Sequence, residues 1–249
     1  MRKIVFATVA TALFSGGMVF ASDTSALQWT YKGHAGPEQW GDLAPQYATC
    51  GTGKAQSPID ITTAQDRASA ITTHYRETAV DVVNNGHTIQ LNYAPGSTLV
   101  SAGVEYSLLQ LHFHSPSEHT VNGKSFPVEM HLVHKSAEGG LAVVGVMFDE
   151  GAANADLGKI WSQMPDHAGG VLKSDMLVNA ANLLPNERAF TGYDGSLTTP
   201  PCSEGVKWHV LDGSLQASAE QIAQFKAQIG ENNRPTQPLN ERLLHHTGD

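Results

Sequence analysis

The sequence predicts a mainly β, α+β fold: a single domain built on a large central sheet, mixed but mostly antiparallel and twisted, with a few peripheral helices. Three observations carry this. From Thr78 onward short β-rich runs recur, "AVDVVNN", "TIQLNYA", "STLVSAG", "YSLLQLHFH", "VEMHLVHKS" and "LAVVGVMF", and turn residues such as Asn85-Gly86, Pro95-Gly96, Asn122-Gly123 and Gly139-Gly140 separate them. Helical periodicity is sparse, with its best candidates at 152–164 and 218–230. The 249 residues hold no internal repeat, low-complexity block or linker that would divide them, and all-β architectures commonly reach this length as one domain.

Taken in order, the chain opens with Met1, Arg2 and Lys3, runs through "IVFATVATALFSGGMVF" and reaches Val19-Phe20-Ala21. A charged start, a short apolar stretch and a small-residue ending read as a secretory signal peptide over 1–21, cleaved to leave a domain over 22–249. Ser15, Gly16 and Gly17 break the apolar stretch, which is too short for a membrane span of about 20 residues. The expectation is a soluble periplasmic or secreted protein with no membrane partner after cleavage. The net charge of −9 grows more negative once Arg2 and Lys3 are gone, and no basic patch suits nucleic acid. Cys50 and Cys202 are the only cysteines. In an oxidising compartment they read as one disulfide, worth on the order of 4–5 kcal/mol in the chain-entropy model. Two free thiols or two zinc ligands are the competing readings. Of the helical segments, 218–230 has the clearer ends, Ser218 as N-cap and Gly230 as stop.

Alternation along strands organises the histidines, because side chains two apart share a face. In "QLHFHSPSEH" (110–119), Gln110, His112 and His114 line one side, while Leu109, Leu111 and Phe113 line the other. In "VEMHLVH", Glu129, His131 and Val133 share a face, and Met130, Leu132 and His134 the opposite one. If the two strands pair, three imidazoles converge. Three neutral imidazoles leave one tetrahedral position of a zinc ion open, the arrangement of a catalytic site, and zinc lowers the pKa of a water there to about 7; carbonic anhydrase is the standard case for that value. Gln110 and Glu129, each two residues from a ligand and on its face, are placed to orient the rings. The pattern His112, His114, Glu118 also opens the first metal motif of cupins, with Glu118 as ligand and iron or manganese as metal. Gly123 follows too soon for that spacing, and no PxG-x-x-H-x-x-x-N segment follows.

Further motifs extend the pattern: "QSPIDI" (56–61), "NNGH" (84–87), "LAVVGV" (141–146), "GSLTTPPCSEGVKW" (195–208) and "RPTQPLNER" (234–242). With "QLHFHSPSEH" and "EMHLVH", in this order and across nearly the whole chain, the sequence resembles the α-class carbonic anhydrases of the bacterial, exported type. The resemblance implies a zinc enzyme that reversibly hydrates carbon dioxide to bicarbonate and a proton by zinc-bound hydroxide, with weak esterase side activity. It implies His112, His114 and His131 as zinc ligands, Gln110 and Glu129 behind them, and Asn232 as the residue whose backbone carbonyl supports another ligand. Thr198 matches the gatekeeper threonine that donates its hydroxyl to Glu118, and His87 the proton shuttle, with Tyr31 ordering its water chain. Val133, Val143, Leu197, Thr199, Val206 and Trp208 match the substrate pocket, and Cys50 and Cys202 the disulfide of exported members. His119 and His134 read as structural or surface groups. Ser115 and Pro116 stand where cytosolic animal members carry tryptophan, and the segment from His134 to Leu141 is short, which questions the animal subgroup and leaves the chemistry intact. A homodimer is common among similar exported enzymes, though no stretch here marks an interface. A non-catalytic binding module on the same fold is the alternative, and it would be favoured by loss of a ligand, of Thr198 or of Glu118; none is lost.

Overall fold

Residues 28–247 are described by the computed structural model, so the signal peptide expected over 1–21 lies outside the described residues. Fourteen strands occur among them: β1 (Asp60–Ile61), β2 (Gln65–Asp66), β3 (Ile71–His74), β4 (Glu77–Asn84), β5 (Ile89–Asn92), β6 (Thr98–Ser101), β7 (Val104–His114), β8 (Thr120–Val121), β9 (Val128–Ser136), β10 (Leu141–Glu150), β11 (Val171–Asn179), β12 (Phe190–Ser196), β13 (Glu204–Ala217) and β14 (His245–Thr247). The helices are α1 (Trp40–Leu43), α2 (Thr49–Thr52), α3 (Ala155–Trp161) and α4 (Ala219–Ile229). One large sheet follows the order β11-β4-β5-β7-β9-β10-β13-β12-β14-β2, with β3 and β6 added beside β7. Its pairs are antiparallel except β10 with β13 and β14 with β2. The mainly β fold with a mixed, mostly antiparallel sheet is therefore the fold observed.

The middle of the sheet is built from sequences that suit burial on both faces. β10 is apolar up to Phe148, and β9, although it carries Glu129, His131 and His134, is like β10 nearly continuously buried, as central strands must be. One face packs Leu91, Leu111, Phe113, Met130, Leu132 and Val144 against α3 and α4 in the main core. The other gathers Val143, Val206, Trp208 and Val210 in a smaller cluster. α4 holds its start with a reciprocal capping box between Ser218 and Gln221 and ends at Gly230, whose φ is +81°. α3 is shorter than the periodicity over 152–164 suggests, because the Asn154 side chain caps it from Leu157 N–H and the helix stops at Trp161.

Two expectations need correction. Leu109 does not join Leu111 and Phe113: it sits at a register shift between Leu108 and Gln110 and is 43 % exposed. A bulge adds one residue and moves the phase of alternation, so the apolar face of β7 reads Tyr106, Leu108, then Leu111, Phe113. β11, β12 and β13 also lie outside the runs recognised from sequence. Gly192, Gly195, Gly205 and Gly213 interrupt β12 and β13 and dilute their β signal. At Gly195 the interruption is required, since a Cβ there would run into Ser57 Oγ, Trp208 and Tyr193.

Candidate metal centre

β7 and β9 pair with His112 opposite His131 and His114 opposite Glu129. The bulge at Leu109 lies before this register begins, so the period of two delivers His112, His114 and His131 to one face. Their coordinating nitrogens all lie within 4.8 Å of one another. Each ring has its other nitrogen tied to an oxygen: His112 Nδ1 to Gln110 Oε1 at 2.8 Å, His114 Nδ1 to the Asn232 carbonyl at 2.7 Å, His131 Nε2 to Glu129 Oε1 at 2.8 Å. An acceptor there makes that nitrogen the N–H and leaves a lone pair on the other. The inward nitrogens are therefore His112 Nε2, His114 Nε2 and His131 Nδ1. Burial favours the neutral form of all three rings: it lowers the pKa of His131, lowers that of His112 well below the usual histidine value and brings that of His114 to about 4.

Glu129 anchors the arrangement. Its Oε1 accepts from His131 and from His119 Nδ1 at 2.7 Å, and its Oε2 from the backbone N–H groups of Glu118 and His119 at 2.9 and 2.8 Å. Burial by itself would raise this carboxyl, but the His119 and His131 rings and their hydrogen bonds hold it well below the ordinary carboxylate range. Gly145, opposite His131 on β10, leaves the space: a Cβ there would sit 3.2 Å from Glu129 Oε1.

Glu118 lies on the metal side of the histidines. Its Oε2 is 3.5 Å from His114 Nε2 and 3.9 Å from His131 Nδ1, and its Oε1 accepts the Arg234 N–H at 2.8 Å. The Thr198 hydroxyl hydrogen-bonds the same carboxylate. Burial pushes Glu118 up to about 7, against the pull of His131, Thr198 and the Arg234 N–H. His114 Nε2 and Glu118 Oε2 are buried without a hydrogen-bond partner. Buried polar atoms are nearly always satisfied, so two such orphans beside two further convergent lone pairs fit a cation. Three imidazole nitrogens are a donor set suited to zinc.

Above the histidines, Val133, Val143 and Trp208 stand opposite one another across β9, β10 and β13, and with Val206 and Leu197 they form one apolar patch. Thr199 is half-buried, its carbonyl accepting the Cys202 N–H at 2.8 Å. His87 follows β4 on a turn in which Asn85 Oδ1 accepts the His87 and Thr88 N–H groups. Its ring stacks on Trp29 at 3.7 Å, with Tyr31 6.4 Å away, and half-burial lowers its pKa. Cys50 and Cys202 form the disulfide, joining α2 to the segment after Thr198.

The structure adds residues that local patterns do not reveal. His119 is fully buried, and its Nε2 meets the Tyr193 hydroxyl at 2.7 Å, which donates to Ser57 Oγ at 2.8 Å. His134 is buried on the opposite face. Asn232 uses its amide to donate to the His87 and Phe113 carbonyls and to accept the Ser115 N–H. Only paired positions far apart in the chain could have signalled these contacts.

Fold and site together define a metalloenzyme whose neutral imidazole triad faces a hydroxyl–carboxylate pair and an apolar patch. The family model for eukaryotic-type carbonic anhydrase matches residues 35–248. A carbonic anhydrase of Pectobacterium carotovorum is 43 % identical over 249 residues, 98 % of this chain and 99 % of that one. Among solved structures, the α-carbonic anhydrase from Thermovibrio ammonificans in complex with sulfanilamide is 44 % identical with a TM-score of 0.86, covering 88 % of this chain and 98 % of that one. A hyperthermostable carbonic anhydrase from an active hydrothermal vent chimney is 45 % identical with a TM-score of 0.85, over 88 % and 100 %. The chain belongs to the α-carbonic anhydrase family, whose general activity is hydration of carbon dioxide.

Proposed function

We propose that the protein is a zinc carbonic anhydrase, exported and cleaved after Ala21, in which His112, His114 and His131 hold the metal. The observation that carries this reading is the convergence of three inward lone pairs whose partner nitrogens are each tied to an acceptor. Zinc so held supplies a nucleophile at neutral pH by lowering the pKa of water to about 7.

The chain's own residues do the rest. Thr198, donating its hydroxyl to Glu118, keeps its oxygen lone pairs for a water at the metal face, so that water is fixed as a donor toward Thr198 and its own lone pair is aimed elsewhere. Val133, Val143, Leu197, Val206 and Trp208 offer a linear apolar molecule a dry surface beside that lone pair, with Thr199 at its edge. His87, half-buried beside Tyr31 with its pKa lowered by burial, takes the proton outward. The same nucleophile would hydrolyse activated esters slowly.

A disulfide is compatible with an exported protein, and no helix among the described residues is long and apolar enough to cross a membrane. N-terminal sequencing of protein recovered from the periplasm or medium checks the leader, with Ser22 expected first; sedimentation velocity checks a homodimer. The test of function is stopped-flow carbon dioxide hydration with metal content measured alongside. Fast hydration lost with chelation and restored by zinc is expected. Zinc-loaded, folded protein without hydration would turn the reading toward a binding module on the same scaffold.

A further inference from the structure

Arg234 is 1 % exposed, yet no carboxylate lies within ion-pair distance of its guanidinium among the described residues. Instead the fork spends its donors on neutral oxygens of one loop. Nη1 donates to Gln56 Oε1 at 2.9 Å and to the Ser57 carbonyl at 2.8 Å, and Nη2 to the Cys50 carbonyl at 2.9 Å. The plane lies over Trp40 at 5.6 Å, and Nε has no partner. Burial pushes the guanidinium down to about 10, and Glu118, which is not in ion-pair contact, is the charge that opposes this; a buried cation so loosely paired costs several kcal/mol, which a purely packing role would not require.

What the fork grips explains it. Gln56 Nε2 donates to the Cys202 carbonyl at 3.0 Å. Ser57 and Ser196 exchange two bonds, Ser57 N–H to Ser196 Oγ at 2.9 Å and Ser196 N–H to Ser57 Oγ at 3.0 Å. Residues 56 and 57 therefore hold both ends of the turn that carries Thr198. The backbone N–H of Arg234 donates to Glu118 Oε1. One residue thus ties down both partners of a single hydrogen bond, from opposite sides.

We propose that Arg234 is a positioning residue that sets the Thr198 hydroxyl against the Glu118 carboxylate, its fork fixing the Thr198 turn and its N–H fixing Glu118. The inference rests on the carbonic anhydrase reading of the site. It differs from a stabilising role, which would be felt wherever the 50–57 loop is held and would not depend on Thr198.

The test is a double-mutant cycle on zinc-loaded protein, with zinc content and Tm measured for each variant and rates taken well below the lowest Tm. Arg234→Lys keeps the charge and loses the fork; it should lower kcat/KM about tenfold, the scale of a small misplacement at a reacting group. In a Thr198→Ala background the same change should cost nothing further, since the pair it positions is already broken. Losses that multiply across the cycle, or a lowered Tm with kcat/KM unchanged, would overturn the proposal. Should Arg234→Lys fail to fold, Gln56→Ala removes one acceptor of the fork and should give a smaller loss that likewise vanishes with Thr198→Ala. Independently of activity, hydrogen exchange at the residue 234 N–H in zinc-free protein should accelerate in Arg234→Lys; an unchanged rate would sink the link to Glu118. Thr198→Ala hydrating carbon dioxide at the wild-type rate would count against the function itself, a distinct failure.

Discussion

β9 carries histidines on both of its faces, and the two faces use them in opposite ways. His131 looks toward His112 and His114 on one side. On the other, His134 Nε2 meets the Tyr75 hydroxyl at 2.8 Å and its Nδ1 the Ala142 carbonyl at 3.3 Å, while His209 on β13 meets Ser101 Oγ at 2.8 Å. Burial lowers the pKa of all five rings, three of them to about 4. Neutral, buried imidazole is therefore common to both faces and does not by itself make a metal centre. The difference is in convergence. His134 is satisfied at both nitrogens, and His209, whose Nδ1 has no hydrogen-bond partner, belongs to no such cluster. The three front-face rings each have one nitrogen oriented by an acceptor and turn the other toward a common point, all within 4.8 Å of one another. A site for chemistry is made here by gathering unpartnered nitrogens in one place.

The largest effect expected follows from removing one ring on each face. His131→Ala should abolish stoichiometric zinc binding and reduce hydration to background, with the fold retained by circular dichroism. His134→Ala should keep zinc and activity but lose about 2–4 kcal/mol of stability, through the cavity and the unpartnered Tyr75 hydroxyl. Zinc lost from His134→Ala, or kept by His131→Ala, would break the comparison.

Acid sharpens it next. His134 and His209 have folded pKa values near 4, below about 6.5 for an unfolded histidine. Between those values the unfolded chain binds more protons. Stability from keeping these rings neutral is thus complete above about pH 6.5 and is lost as pH falls toward 4, by about 3 kcal/mol per ring. Denaturant melts across this window should flatten by that amount in His209→Gln, and an unchanged slope would mean the ring is not held neutral. A third effect is smaller. Gln110→Ala frees His112 Nδ1 and should weaken zinc about 10–100-fold, read by competition with a chelator, while leaving Tm of the zinc-free protein nearly unmoved.

Strand alternation made much of the front face legible beforehand. A same-face pair at 112 and 114, a third histidine at 131, and Gln110 and Glu129 two residues from their rings all follow from a local period of two. The bulge at Leu109 escaped, because inserting one residue changes no composition. The supports that arrive from far along the chain escaped as well: Tyr193 on His119, Ser57 on Tyr193, and the Arg234 fork on residues 50–57. Asn232 was placed only through the resemblance to a family. Contacts of this kind have no periodicity to betray them, since they are set by how β12, β13 and the segment after α4 pack and not by any neighbour in sequence.

The effect that strong buffer should erase belongs to His87, which is neither a front nor a back histidine in the sense above. It is half-buried on the rim, stacked on Trp29, and its backbone carbonyl is held by the Asn232 side chain that also braces the His114 strand. Burial lowers its pKa, but its place on the rim leaves it in reach of solvent, as the fully buried rings are not. His87→Ala should leave zinc content and Tm intact and slow hydration in weak buffer, on the order of 10²-fold if it transfers the proton as a positioned side chain does. Strong buffer or added imidazole should recover most of that rate, because a diffusing base then replaces the missing ring. An unchanged rate in weak buffer would mean the proton leaves by another route. A loss that imidazole does not relieve would mean that the turn, and through Asn232 the His114 ring, had moved instead.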